Sequence, residues 1–330
     1  MEFALSEEQG ELASTVRGLL EKRADSAAVR ASSVSESGHD ETLWATLCEQ
    51  IGVAALGVPE EYDGVGATFF ETAVVLEELG RSLAPSPLLA TTVATQALLA
   101  GGNEDAKARL LPRIAAGEIA TITLGNAPVL DGDRASIVLA VFGDELVEVV
   151  DSQATWTESM DQSIRLARLD LTAATTVPLG DGQAAARRAE LVGAASVAAL
   201  AVGLSDRALA MTLAYVKERV QFGRPIGSFQ AIKHRLADVF AQTELARSAS
   251  WAASYALADD ATDPAEADFL TRTAASYAVE AAQLAASECV QLHGGIAITW
   301  EHDAHLVFKR AHALGQLFGA PHRHRAAVEL

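Results

Sequence analysis

The spacing of apolar residues along this 330-residue chain changes twice, from helical to strand-like and back to helical. That order constrains the fold more than any single motif does. Residues 1–119 read as a helical domain. Ser6-Glu7-Glu8-Gln9 fits a capping box, in which serine and glutamine satisfy free backbone N–H groups at a helix start, and the stretch behind it is amphipathic to about Lys22. A second helix starts near Asp40 with Leu43, Leu47 and Ile51 on one face. The Gly- and Pro-bearing run Gly57 to Gly66 is a loop, a helix follows from about Thr68 to Arg81, and two more fit between Pro87 and Gly117. Residues 120–182 form a β insert: Ser136 to Phe142 and Leu146 to Val150 are β-branched apolar runs, joined by the three residues Gly143-Asp144-Glu145, and Arg165 to Leu171 alternates. Residues 183–330 are helical again. Ala184 to Glu218 carries small or apolar residues on most faces and is expected to lie deep in a bundle.

Composition narrows the partners. With 25 basic and 44 acidic residues the formal charge is −19, a field that repels nucleic acid and anionic lipid. It leaves room for a polyanionic cofactor in a local basic pocket. Aromatics are only 5% of residues, so the core must be built from Ala, Leu and Val in close-packed helices. Cys48 and Cys289 form no C-x-x-C pair and read as buried thiols in a reducing compartment. MEFALSEEQGEL lacks the basic and apolar regions of a signal peptide, and no long uncharged apolar run suggests a membrane span. The expectation is a soluble cytoplasmic protein without nucleic-acid or membrane partners.

Two segments carry the densest chemistry. In Lys217-Glu218-Arg219-Val220-Gln221-Phe222-Gly223-Arg224-Pro225-Ile226-Gly227-Ser228-Phe229-Gln230 a helix ends, a Gly/Pro loop turns, and a new helix opens. An arginine beside free backbone N–H groups can hold a pyrophosphate, with Phe222 against an aromatic ring. The same residues also suit an ordinary basic helix end. In Gln291-Leu292-His293-Gly294-Gly295-Ile296 the glycine pair permits close backbone approach to a ligand, or simply caps a helix. Five histidines crowd the C-terminus: His302, His305, His312, His322 and His324. A metal site needs three or four convergent ligands, so they read as a solvated or subunit-facing helix surface, with no metal. Gly64-Val65-Gly66 has no preceding strand and is not a dinucleotide fingerprint.

Together the two segments resemble the acyl-CoA dehydrogenase family, whose signatures are "R-x-x-F-G-x-P-[IL]-x-x-F-Q" and "Q-x-x-G-G". Thr299 to Leu306, the loop Gly57 to Gly64, and Asp161 to Arg168 are similar to further family segments, so the likeness covers nearly the whole chain. It implies a mainly α fold: an N-terminal helical domain, a small β domain, here reduced, and a C-terminal four-helix bundle. It also implies FAD, a glutamate that takes the α-proton of an acyl-CoA, and hydride transfer to the flavin. Arg219, Gln221, Phe222, Gln230, Gln291, Gly294 and Gly295 correspond to the family's cross-subunit site for the ADP half of FAD.

The sequence departs from the family in two places. Phe318, in Gln316-Leu317-Phe318-Gly319-Ala320, stands where one family position has its glutamate. The alternative position falls near Gly193 and Ala194, with Glu190 about one turn away and pointing nearly the same way. The insert also lacks the "T-E-P-x-x-G-S-D" and "K-x-W-I-T-N" motifs that line the flavin ring; only Asn126-Ala127-Pro128 resembles the first. The chain therefore resembles the smaller subunits of actinobacterial heteromeric acyl-CoA dehydrogenases of steroid breakdown. That implies a catalytic partner subunit in an α2β2 assembly, a shared FAD, an acyl-CoA substrate and an electron acceptor. A self-sufficient homo-oligomer with Glu190 as base, or a flavin-free scaffold, are the alternatives.

Overall fold

The computed structural model describes residues 4–328, so Met1 to Phe3 of the N-terminal segment lie outside the description. The N-terminal helices are α1 (Glu7–Arg23), α2 (Ser26–Ser33), α3 (Glu41–Thr46), α4 (Phe69–Ser82), α5 (Leu88–Gly101) and α6 (Glu104–Ala115). The expected capping box is present: the Gln9 N–H donates to the Ser6 hydroxyl, and the Ser6 N–H to the Gln9 side chain. Helix α3 starts on an Asp40 cap and ends in one π turn, Leu47–Ile51, so the Asp40 element is one helix with a widened last turn. Sequence periodicity does not pick out α2, which has eight residues and an Asp25 cap.

The insert forms two small sheets. Strands β1 (Ala120–Thr123), β3 (Ile137–Phe142), β4 (Glu145–Val149) and β7 (Thr176–Asp181) pair in the order β1-β3-β4-β7. The second sheet has β2 (Val129–Leu130), β6 (Leu166–Asp170) and β5 (Gln153–Thr157), in that order. Phe142 pairs with Glu145, so the β3–β4 connection has two residues, Gly143 and Asp144, not three. Gly143 at φ +60 supplies the positive φ that a tight hairpin needs.

The C-terminal helices are α7 (Gly182–Glu218), α8 (Gln230–Ala258), α9 (Pro264–His293), α10 (Ala304–Leu314) and α11 (Pro321–Ala327). Between α7 and α8 stands a short hairpin, β8 (Val220–Gln221) and β9 (Arg224–Pro225). By length and composition α7 could cross a bilayer, yet 67% of its apolar window is buried inside the protein, as in the core helix of a bundle. Two glycines let α4 and α7 cross backbone to backbone: a Cβ on Gly80 would strike the Leu200 carbonyl, and one on Gly203 the Glu77 carbonyl. One apolar core, running from Val16 to Leu314, therefore joins the N-terminal helices to the bundle.

Two ionic groups, the first partly buried and the second buried, lock these layers. Arg247 of α8 pairs with Asp206 of α7 at 2.5 Å and with Glu77 of α4, while Arg81 reaches Asp206 at 2.6 Å. Arg310 of α10 bonds Asp161 at 2.5 Å and the Ser163 hydroxyl, fastening the bundle to the β5–β6 turn. Cys48 and Cys289 are buried and free, and burial pushes the Cys48 thiol up to about 12. Gly64 has a steric reason: a Cβ there would strike the Val58 carbonyl.

Candidate functional site

At one end of the bundle, α7 stops at Glu218 and Arg219 caps it, its N–H donating to the Tyr215 carbonyl at 2.9 Å. The chain then makes a two-residue hairpin turn with Phe222 at φ +53 and Gly223 at φ +77, the signs of a type I′ turn. A phenylalanine in the left-handed region costs about 1–2 kcal/mol. Nothing in the chain compensates by burying the ring: Phe222 is 92% exposed and touches only the Phe229 ring, edge-on at 6.2 Å. The Arg224 guanidinium lies over Phe229 at 4.1 Å. Gln230 opens α8 behind Phe229, whose side chain caps nothing; the Ile232 and Lys233 N–H groups donate to the Phe229 carbonyl, and those of Gln230 and Ala231 are left free among the described residues. Lys217, Arg219, Arg224 and Lys233 gather here, and among the described residues none has an ion-pair partner. In a chain of net charge −19 this is a local cationic patch.

The second segment reaches the same end. His293, near the end of α9, stacks on Tyr215 with centroids 4.4 Å apart, and its Nδ1 donates to the Cys289 carbonyl at 2.7 Å. Burial pulls the His293 pKa down, against that hydrogen bond, so the ring is a neutral spacer between the two helix ends. Gly294 adopts φ +65, ψ −142, open only to glycine. A Cβ on Gly294 or Gly295 would meet nothing within 4 Å. Packing inside the chain thus gives no reason for the second glycine, whereas a group approaching from outside does. Arg219, Gln221, Phe222, Gln230, Gln291, Gly294 and Gly295 are all exposed. The fold brings both segments to one bundle end through the Tyr215–His293 stack. Neither of those residues stood out in the sequence; the available signal was their place, one turn before Arg219 and one residue before Gly294.

A cleft of about 300 Å³ lies elsewhere, between the insert and the helices. Its wall is the 121–130 segment, closed by Gln316, Leu317 and Phe318, and none of its lining residues is an acid or a histidine. The Thr121 hydroxyl donates to the Leu130 carbonyl and the Thr123 hydroxyl to the Gly125 carbonyl, both at 2.7 Å, so these donors face their own loop. Phe318 sits at φ +51 and its ring fills the space over Gly193, where a Cβ would overlap it. The two positions that could carry a base are therefore in contact, and neither holds a carboxylate.

Glu190 does not point with Gly193. It is exposed, does not line the cleft, and its charge acts on Arg272 of α9. Residues three apart on a helix differ by about 60° in direction, and here that angle separates the solvent face from the buried one. Of the C-terminal histidines, His302, His305 and His312 are half-buried, and His324 departs from the expected surface. Only His322 is exposed; His324 is buried against Gly319 because α11 folds back over the bundle. No group of three or more metal-ligating side chains occurs among the described residues.

Fold and site together define an oxidoreductase architecture of the acyl-CoA dehydrogenase type. The chain belongs to the acyl-CoA dehydrogenase family: residues 6–118 match the acyl-CoA dehydrogenase N-terminal domain, and residues 180–329 the acyl-CoA dehydrogenase C-terminal domain. It is 44% identical over 326 residues to acyl-CoA dehydrogenase IpdE2 of Mycolicibacterium smegmatis, covering 98% of this chain and 99% of that one. To IpdE2 of Mycobacterium tuberculosis it is 46% identical over 316 residues, covering 96% and 94%. Among solved structures it superposes on the ChsE4-ChsE5 complex from Mycobacterium tuberculosis with a TM-score of 0.88, 25% identity and full coverage of both chains. It superposes on the steroid acyl-CoA dehydrogenase Tcur3481-Tcur3483 with a TM-score of 0.86 and 29% identity, covering 97% and 96%. Members of this family bind FAD. The residues at the bundle end fit its anionic half: unpaired cations, free helix N–H groups and a glycine pair open to approach. The cleft wall, with its hydroxyls turned inward, offers no comparable set for a flavin ring.

Proposed function

We propose that this chain is the non-catalytic, flavin-sharing subunit of a heteromeric acyl-CoA dehydrogenase acting on a CoA thioester derived from a steroid side chain or ring. The observation that carries the reading is the Phe318 ring over Gly193, beside a cleft with no titratable side chain. Abstraction of an α-proton needs a carboxylate within hydrogen-bond reach, so the base must come from another chain. Bound flavin supplies the acceptor for the β-hydride. Arg219 would pair with the pyrophosphate, Phe222 would cover an aromatic ring, and Gln221, Gln230, Gln291 and the Gly294-Gly295 backbone would hold the same ADP half. The partner is a second, full acyl-CoA dehydrogenase subunit in an α2β2 complex that passes electrons to a soluble acceptor in the cytoplasm. The paired subunits named in the ChsE4-ChsE5 and Tcur3481-Tcur3483 structures support that assembly.

Counting flavin tests the proposal. The chain purified alone should be colourless, and the complex with its partner should hold one flavin per pair of unlike subunits. A stoichiometric flavin spectrum from this chain alone, or two flavins per pair, would overturn it. The self-sufficient alternative is tested by Glu190→Gln, which should leave turnover of the complex within a few-fold. Loss of an essential base costs about 10²–10⁴-fold.

A further inference from the structure

Directly after β2 the chain places Asp131 in the left-handed region, at φ +52. Its backbone is fully engaged: the N–H donates to the Arg165 carbonyl at 3.0 Å, and the carbonyl accepts from the N–H groups of Arg134 and Ala135. Its side chain is not. The residue is 7% exposed, and among the described residues no hydrogen bond or ion pair reaches the carboxyl. Asp131 lines a partly enclosed cavity of about 40 Å³ where all three parts of the fold meet. That volume is large enough to admit water.

Two arginines line the same cavity, but Nε and Nη2 of each are engaged elsewhere. Arg165 directs Nε and Nη2 to Asp133, and Arg310 directs its own to Asp161 and the Ser163 hydroxyl. Asp133 stands two residues on and adds a repelling charge, while the buried His39 and Arg134 lie near Arg165. Helices α4, α5 and α7 present only Leu76, Leu79, Leu89 and Leu200, and the linker between α4 and α5 adds Ala84 and Ser86. Asp131 is thus the third carboxylate around two cations, and the one left out. An ionised carboxylate without a partner is costly in such a place. Burial, then the charge of Asp133, push its pKa up to about 7 against the pull of Arg165. Burial pulls His39 the other way, below the usual imidazole value.

We infer that Asp131 is a proton-operated latch fixing the 121–130 wall of the cleft to the helices. As a neutral acid it fits this mostly apolar cavity and keeps the wall seated. Once ionised, the charge draws water into the cavity and the wall loosens. The native state then binds the extra proton, so the stabilisation is complete below the unfolded-state pKa, declines above it, and is lost as pH rises through the native one. The inference stands on the cavity and its charges and does not depend on which chain holds flavin.

The test is amide hydrogen exchange of residues 120–135 in the full chain at about pH 6 and about pH 8.5, corrected for the chemical rate at each pH. Protection in the wild type should fall roughly tenfold across this range, while Asp131→Asn, which keeps a side chain tolerant of positive φ, stays within about two-fold. If Asp131→Asn does not fold, Asp131→Gly, better suited to that φ, serves the same comparison. Wild-type protection that does not fall, or a variant that falls equally, overturns the inference.

Discussion

Phe318 lies against Gly193 with no room for a Cβ between ring and helix. The ring is held there by a left-handed backbone at Phe318 and by Gly319 at φ +113, behind which the buried His324 packs. Neither residue can be exchanged without regard to the other.

Gly193→Ala should destabilise the wild-type chain, because overpacking costs about 1–3 kcal/mol and exceeds the gain of about 1 kcal/mol from alanine in a helix. In a Phe318→Ala background the clash is gone, and the same substitution should become stabilising. Urea unfolding of the four variants reads this change of sign directly. Equal effects in both backgrounds would show that the two residues do not press on each other.

Arg219→Ala should weaken flavin retention by the assembled complex about ten- to a hundredfold, since a charge-assisted hydrogen bond contributes about 1.5–3 kcal/mol. Turnover per flavin still bound should hardly change. Equilibrium dialysis against free FAD measures the first quantity, and unchanged affinity would refute the assignment of this arginine to the pyrophosphate.

Phe222→Asn should act oppositely on two properties. It creates an Asn-Gly turn suited to the type I′ hairpin and removes a left-handed phenylalanine, so the chain alone should gain about 1 kcal/mol. The ring is lost from the proposed half-site, so the complex should release flavin more readily. A loss of stability in the isolated chain would mean that the exposed ring packs on something inside it.

Arg247→Ala should cost about 1.5–3 kcal/mol, because it removes the charge-assisted bonds to Glu77 and Asp206 while Arg81 still reaches both carboxylates. Arg247→Lys should lose less, since it keeps a positive charge between them. Chemical denaturation distinguishes the two, and a loss below about 1 kcal/mol for alanine would class the network with weak surface pairs.

Much of this was legible because it is local. The Ser6–Gln9 capping box, the Asp40 cap and the long helix ending at Glu218 are each written in a few neighbouring residues. The residues of the proposed half-site are legible only through their likeness to family motifs, and the chain alone explains only part of that region, such as positive φ at Gly223 and Gly294. What stayed hidden depends on direction and distant neighbours. Glu190 faces away from the cleft because of how α7 is turned against α9, and three residues of spacing do not reveal that. The Tyr215–His293 stack joins residues far apart in sequence. Asp131 looks like any loop aspartate until two arginines are seen to be engaged elsewhere.

The length of α7 has a practical consequence. From Gly193 to Glu218 the helix advances about 38 Å at 1.5 Å per residue, so the cleft and the cationic turn stand at opposite ends of one stiff rod. Changes separated by much more than about 10 Å without shared partners add independently. The chain can therefore be re-engineered at the Phe318 end, to admit a new occupant, while the Arg219 end serves as an undisturbed internal standard, and the reverse holds equally.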